Sequence, residues 1–336
     1  MRRLVCRAIC IAVALLAGGA PAFAQTNLIL TTMSPPGNDF STEFFGPWAE
    51  RMNAASKGSL HVDVRDGYAV ANYGNVYERV MDDVVQIGWG MQGIIAGRFP
   101  LTEIATFPFE ADNAEQASVA LYRLYKAGAF GAEYKDVKPL VLGTFPMNGV
   151  HYAKKPPSVD NFNGLKVRAA SKPQAEWIER LGGAPISMPP EDLYQSLQRS
   201  TIDATLQGWS TFGPIKLADV TSFHVDAAFG TSTIMHFMSQ KKYDALPADA
   251  RKAIDDNSGE AMSRSWGKFV DALAQKLRTQ VLALPNQTEV KLTAEQSRSW
   301  REKVAPVADE WTKAHPGGDQ LLKQYRAALA DVKAGR

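Results

Sequence analysis

Few residues in this chain stand where catalysis would need them. The five histidines, His61, His151, His224, His236 and His315, are scattered without metal-ligand spacing, and no His-Glu-x-x-His pair occurs. Neither a Gly-x-Ser-x-Gly elbow nor a phosphate loop is present. Along the expected helices the acids alternate with basic residues, the pattern of solvated faces. The only cysteines, Cys6 and Cys10, fall in a segment expected to be removed, which leaves no thiolate nucleophile, disulfide framework or cysteine metal site. These residues give no reason to expect an enzyme, a cofactor or a metal. Binding is the chemistry left to look for.

The segment expected to be removed is explicit. Arg2, Arg3 and Arg7 lead into the apolar stretch from Ala8 to Ala17, and Ala22-Phe23-Ala24 supplies small residues before Gln25. The apolar run is too short to span a bilayer, no later window reaches about 18 apolar residues, and Arg7-Ala8-Ile9 before Cys10 is no lipobox. A signal peptide over residues 1–24, cut after Ala24, and export to the periplasm are expected. Cleavage leaves 312 of 336 residues, enough for one large domain or two medium ones. It takes away three arginines and no acids, so the formal charge moves from +2 to −1. Without a long basic block, nothing points to nucleic acid or anionic lipid as a partner.

The elements that must hold a site alternate. Leu28-Ile29-Leu30 reads as a strand running into the loop Thr31 to Gly37, then a helix from about Ser41 with Phe44, Trp48 and Met52 on one face. Leu60, Val62 and Val64 keep strand period, Asn75 caps a short helix to Met81, and Val84 to Trp89 reads as a buried strand. Asp112-Asn113 caps a helix through Tyr125. Leu140–Leu142, Val150–Tyr152, Leu165–Ala169, Ile186–Met188 and Ile202–Gln207 are strand candidates, with helices capped by Ser171 and spanning Pro190 to Gln198. From about Ala248 the chain is mainly helical. This order predicts an α/β fold with ligands at strand C-terminal ends.

Ordered motifs carry a resemblance. Asn161-Phe162-Asn163-Gly164-Leu165-Lys166-Val167-Arg168, then Leu181-Gly182-Gly183-Ala184-Pro185-Ile186-Ser187-Met188-Pro189, Glu191 to Gln198 and Thr201-Ile202-Asp203-Ala204 resemble the signature of the DctP family. These are the periplasmic solute-binding proteins of tripartite ATP-independent (TRAP) transporters. Gly97 to Glu103 and Pro108-Phe109 resemble one branch of it, and the likeness runs from about Leu28 to Trp266. It implies a two-lobed periplasmic binding protein fold with mixed, mostly parallel sheets, a hinge and a long helical C-terminal region. Lobe I would be residues 25–146, completed by about 233–272, and lobe II residues 147–232, completed by about 273–336. The implied function is capture of a small organic carboxylate and delivery to the small and large TRAP membrane subunits. An ABC-type or sensor-associated binding protein, or a secreted hydrolase, stays as the alternative.

The resemblance also assigns a site. Arg168 matches the family arginine that pairs with the substrate carboxylate, a role its planar, permanently charged fork suits. Gln207 and Trp209 match the opposite wall. Ser34, Trp89, Met91 and Gln92 follow strand ends, Phe109 matches the branch's pocket aromatic, and Phe145 and His151 sit near the expected hinge. Thr205, Leu206 and Gln207 supply no acid to hold a cation, and Asn148-Gly149-Val150 lacks a second arginine. An aromatic, hydroxy or oxo monocarboxylate is therefore favoured, with a C4 dicarboxylate as the alternative.

Overall fold

The computed structural model describes residues 25–95 and 97–336. The expected signal peptide, with both cysteines, lies outside the described residues. In the first part of the chain β1 (Thr26–Thr31), α1 (Gly46–Ala55), β2 (Leu60–Arg65), α2 (Val76–Met81), β3 (Gly88–Met91), α3 (Ala114–Lys126) and β4 (Val137–Thr144) alternate. The middle holds β5 (Gly149–Tyr152), β6 (Lys166–Ala169), α4 (Lys172–Arg180), β7 (Ala184–Ser187), α5 (Leu193–Gln198), β8 (Ala204–Gln207) and β9 (Phe223–Asp226). Then come β10 (Thr233–Ser239), α6 (Glu260–Leu282), β11 (Thr288–Lys291), α7 (Ala294–Ala314) and α8 (Gly318–Lys333).

Two sheets result. β1 and β2 are parallel, and a bridge from Leu30 to Ile87 ties them to the β3–β10–β4 sheet. The second sheet has the order β11–β9–β5–β8–β6–β7. Its pairings, like those of the first sheet, are mixed: every antiparallel pair involves β10, against β3 and β4, or β5, against β8 and β9. The cause is local. β5 and β10 each follow directly on a segment that crosses from one sheet to the other, without the helical crossover that a parallel partner requires.

Those crossings, residues 145–148 and 227–232, are bonded to each other. Phe145 N donates to Ser232 O at 3.0 Å, Asn148 N to Gly230 O at 2.8 Å, and Phe229 N to Asn148 O at 2.8 Å. α6 spans the same junction, about 35 Å at 1.5 Å per residue. Near its start Trp266 Nε1 donates to Thr144 O at 3.0 Å, while Leu277 and Val281 near its end pack toward Gly213 and the Trp209–Phe212 cluster. Among the described residues no helix is long and apolar enough to cross a membrane.

Local chemistry sets the ends of the helices. Asn113 Oδ1 accepts from Gln116 N at 2.8 Å and Ser171 Oγ from Gln174 N at 3.4 Å, with Pro173 in the first turn. Two expected elements differ. The helix expected from Ser41 begins with a π turn, Phe40–Phe45, before α1. The strand expected over Val84–Trp89 is displaced to Gly88–Met91, because Val84 N and Val85 N both turn back to Arg79 O and leave Val84 exposed. The displaced strand and the turn after it read Gly88-Trp89-Gly90-Met91-Gln92-Gly93, which has Gly-x-Gly-x-x-Gly spacing. No helix starts at it. Here the glycines serve packing, since a Cβ at Gly88 would meet Val80 Cγ2 at 2.7 Å and one at Gly93 would meet Ser171 Cβ at 2.9 Å.

Candidate functional site

The loops after β1 and β2, together with β3 itself, face the end of β8 across the junction of the two sheets, and a cavity of about 40 Å³ lies between them. Of the residues singled out from sequence, Ser34, Trp89, Met91, Phe145 and Gln207 line it. Phe145 comes from the first crossing, and its ring stands 6.2 Å from that of Trp89. Phe40, Tyr68, Tyr73 and Thr211 also line it, beside several prolines and aliphatic side chains, and no lysine, arginine or acid lines it among the described residues. Burial pushes the Tyr68 hydroxyl up to about 12 and that of Tyr73 well above its ordinary range, so both stay neutral donors.

Arg168 does not line the cavity; it is completely buried near the end of β6, within electrostatic reach of Tyr73 in the wall. Its Nε donates to Met188 O at 3.1 Å. Neither Nη1 nor Nη2 has a hydrogen-bond partner among the described residues. Burial lowers its pKa to about 10, against the opposing charge of Glu191, and it remains a cation at neutral pH. Glu191 is itself incompletely satisfied, with Oε2 unpartnered, and burial raises its pKa. A buried guanidinium with two free nitrogens is costly unless an anion reaches it. Lys166, two residues before, points outward and donates to Ser200 O at 3.0 Å.

Four expected site residues stand elsewhere. Trp209 packs its ring 4.5 Å from Phe212 and 4.7 Å from His151, in the apolar cluster beneath the second sheet. A short 3-10 turn starting at Trp209 carries the indole down into that cluster. Phe109 has a left-handed backbone (φ 65°) that turns its ring away, under the Arg301 guanidinium at 3.9 Å and 5.8 Å from Phe229. Gln92 leaves β3 on the face opposite Met91, as strand alternation demands. There its Nε2 donates to Tyr134 Oη at 2.7 Å, and it borders a separate groove of about 510 Å³. His151 is buried behind Gln207, with Nε2 3.0 Å from the Gln207 carbonyl oxygen and Nδ1 3.0 Å from His224 Nδ1.

Sequence reasoning passed over Tyr68, Tyr73 and Phe40. The first two follow the end of β2, so the strand-end rule that selected Ser34 and Trp89 would have found them if extended to β2. Phe40 sits in the π turn, where helical periodicity gives no signal.

In sum of chemistry, the site has aromatic walls, neutral hydroxyl and amide groups, and one deeply set cation. Residues 32–314 match the DctP model, described as bacterial extracellular solute-binding protein, family 7. Outer membrane transporter protein TsaT of Comamonas testosteroni is 28% identical over 348 residues, 98% of this chain and 98% of that one. C4-dicarboxylate-binding periplasmic protein DctP of Rhodobacter capsulatus is 28% identical over 174 residues, 51% of each. A TRAP solute binding protein from Rhodoferax ferrireducens T118, solved in complex with copurified benzoate, superposes with a TM-score of 0.87 at 27% identity, over 93% of this chain and 100% of the other. With most of its length matched, this chain belongs to the DctP family of extracellular solute-binding proteins.

Proposed function

We propose that this protein captures a small aryl monocarboxylate in the periplasm and delivers it to TRAP membrane subunits. The observation that carries the reading is Arg168, a buried guanidinium with two unpartnered nitrogens, within electrostatic reach of Tyr73 in the wall of the cavity. A carboxylate entering between Tyr73 and Gln207 would meet that fork bidentately once the wall shifts, and its ring would lie among Phe40, Trp89 and Phe145. The benzoate found with the Rhodoferax relative supports an aromatic acid. For a C4 dicarboxylate, the class named for the Rhodobacter relative, the wall offers no second cation. Export follows from the basic and apolar N-terminal segment. In this reading the two sheets belong to lobes that hinge at residues 145–148 and 227–232, with α6 as the spine.

Titration calorimetry of the chain from Gln25 onward with benzoate and with succinate tests this. Saturable binding of benzoate, with succinate weaker by at least tenfold, is expected. Preference for succinate would overturn the substrate class, and binding of neither would overturn capture of small carboxylates.

A further inference from the structure

Building on the carboxylate-capture reading, we propose that the buried His151–His224 pair is a positioning element of the anion site and binds its third proton more tightly, with fractional uptake from solvent, when the carboxylate binds. The hydrogen bonds of the pair require more protons than two neutral rings carry. His151 Nε2 lies 3.0 Å from Gln207 O, a carbonyl that can only accept, so this nitrogen must carry hydrogen. Gln287 donates its Nε2 to Ala218 O at 3.0 Å and Thr221 O at 3.1 Å, which fixes the amide orientation. Its Oε1 then faces His224 Nε2 at 2.7 Å, and that nitrogen too must carry hydrogen. The contact between the two Nδ1 atoms, at 3.0 Å, needs one more. Three contacts need three protons, and two neutral imidazoles hold two.

A neutral pair therefore leaves one of the three contacts without its hydrogen, and one of those contacts holds the strand end that presents Gln207 to the cavity. A singly protonated pair satisfies all three. Its surroundings divide. Burial lowers the pKa of both imidazoles, and each opposes charge on the other. In favour of the cation, Trp209 and Phe212 place their rings 4.7 Å from His151. Glu289 of β11 stands in register with His224, although Arg278 of α6 also binds that carboxylate, and the exposed Asp226 acts on Arg278. Arg168 is the remaining charge. Register places His224, His151, Thr205 and Arg168 in one row across β9, β5, β8 and β6, which sets His151 and Arg168 roughly 10 Å apart at the usual strand spacing.

That row couples the pair to ligand. An unpaired Arg168 disfavours a second cation two strands away, and a carboxylate on Arg168 removes the opposition. By linkage, if the anion raises the pair's proton affinity, the proton raises the anion's affinity by the same factor. Burial keeps the free pair neutral near pH 7, so the effect falls on the acid side, with affinity rising as pH falls below the ordinary histidine range.

The test is benzoate titration calorimetry of the chain from Gln25 between pH 8.0 and 5.5, in buffers of differing ionisation enthalpy. Affinity should rise roughly fivefold toward acid pH, within the usual range of such couplings, with fractional proton uptake. His224→Gln should bind benzoate without that slope. Nitrogen-15 NMR of the wild-type imidazoles, free and benzoate-saturated, is independent of any variant's folding and should show the third ring proton more populated in the saturated protein, by about 0.4 of a proton at most for a fivefold coupling. A flat affinity profile with an unchanged proton count overturns the proposal. Should benzoate fail to bind, the capture reading falls alone, and the pair is judged by NMR of the free protein. Two ring protons persisting to pH 5 would then overturn it, and a third would support it.

Discussion

Arg168 on β6 and His151 on β5 flank Thr205 of β8 in a single row of the second sheet, so all three side chains leave the same face. The Thr205 hydroxyl between them is buried and has no hydrogen-bond partner among the described residues. Thr205→Val should therefore leave the ligand-free protein as stable as the parent or up to about 1 kcal/mol more stable, since it removes an unsatisfied polar group at nearly constant shape. Urea melts of the two proteins decide this; a loss above about 2 kcal/mol would mean that the hydroxyl makes a contact the fold needs.

Glu191 is the acid nearest in effect to Arg168 and competes with a ligand carboxylate for the same cation. Glu191→Gln should raise benzoate affinity severalfold at neutral pH. A drop in affinity would mean that Glu191 holds the guanidinium in place instead of opposing the anion.

How far the sequence reaches is plain from such residues. The family resemblance points to Arg168 and Gln207, and strand-end position points to Ser34, Trp89 and Met91. Phe109 and Trp209 lie outside the cavity for a shared reason: a left-handed backbone at one and a short 3-10 turn at the other redirect the ring by more than sequence position reveals. β10 was illegible because Thr-Ile-Met-His-Phe-Met-Ser is buried along its whole length and shows neither helical nor alternating period. Its His236 is neutral, pushed down to about 3 by burial among Phe44, Phe45, Trp48, Trp89 and Trp266.

Phe109→Ala provides the matching negative control. The ring packs on Phe229 and Arg301 outside the cavity, so stability should fall by about 1–3 kcal/mol while benzoate affinity stays unchanged. A tenfold loss of affinity without unfolding would return Phe109 to the binding wall.

Glu103 should make the protein sensitive to pH in a defined direction. Burial raises its carboxyl from 4.5 to about 7, so the folded state holds a proton that the unfolded state releases. Its favourable contribution is present below about pH 4.5 and is lost as pH rises toward 7, by about 2 kcal/mol. Glu103→Gln should remove that portion of the slope in urea melts between pH 4.5 and 7.5. An unchanged slope would place the proton on Glu133, whose carboxyl is also raised to about 7.

The most direct measurement is benzoate binding by the wild-type chain and by Arg168→Ala, each with its ligand-free melting temperature. The buried cation is a liability without an anion, but truncation also leaves a cavity, so the variant should remain folded with a melting temperature at or somewhat below that of the parent. Its benzoate affinity should fall at least a hundredfold, about 2.7 kcal/mol or more. Wild-type affinity in a folded Arg168→Ala protein would contradict the assignment of Arg168 as the carboxylate anchor, and with it the site proposed between the two sheets.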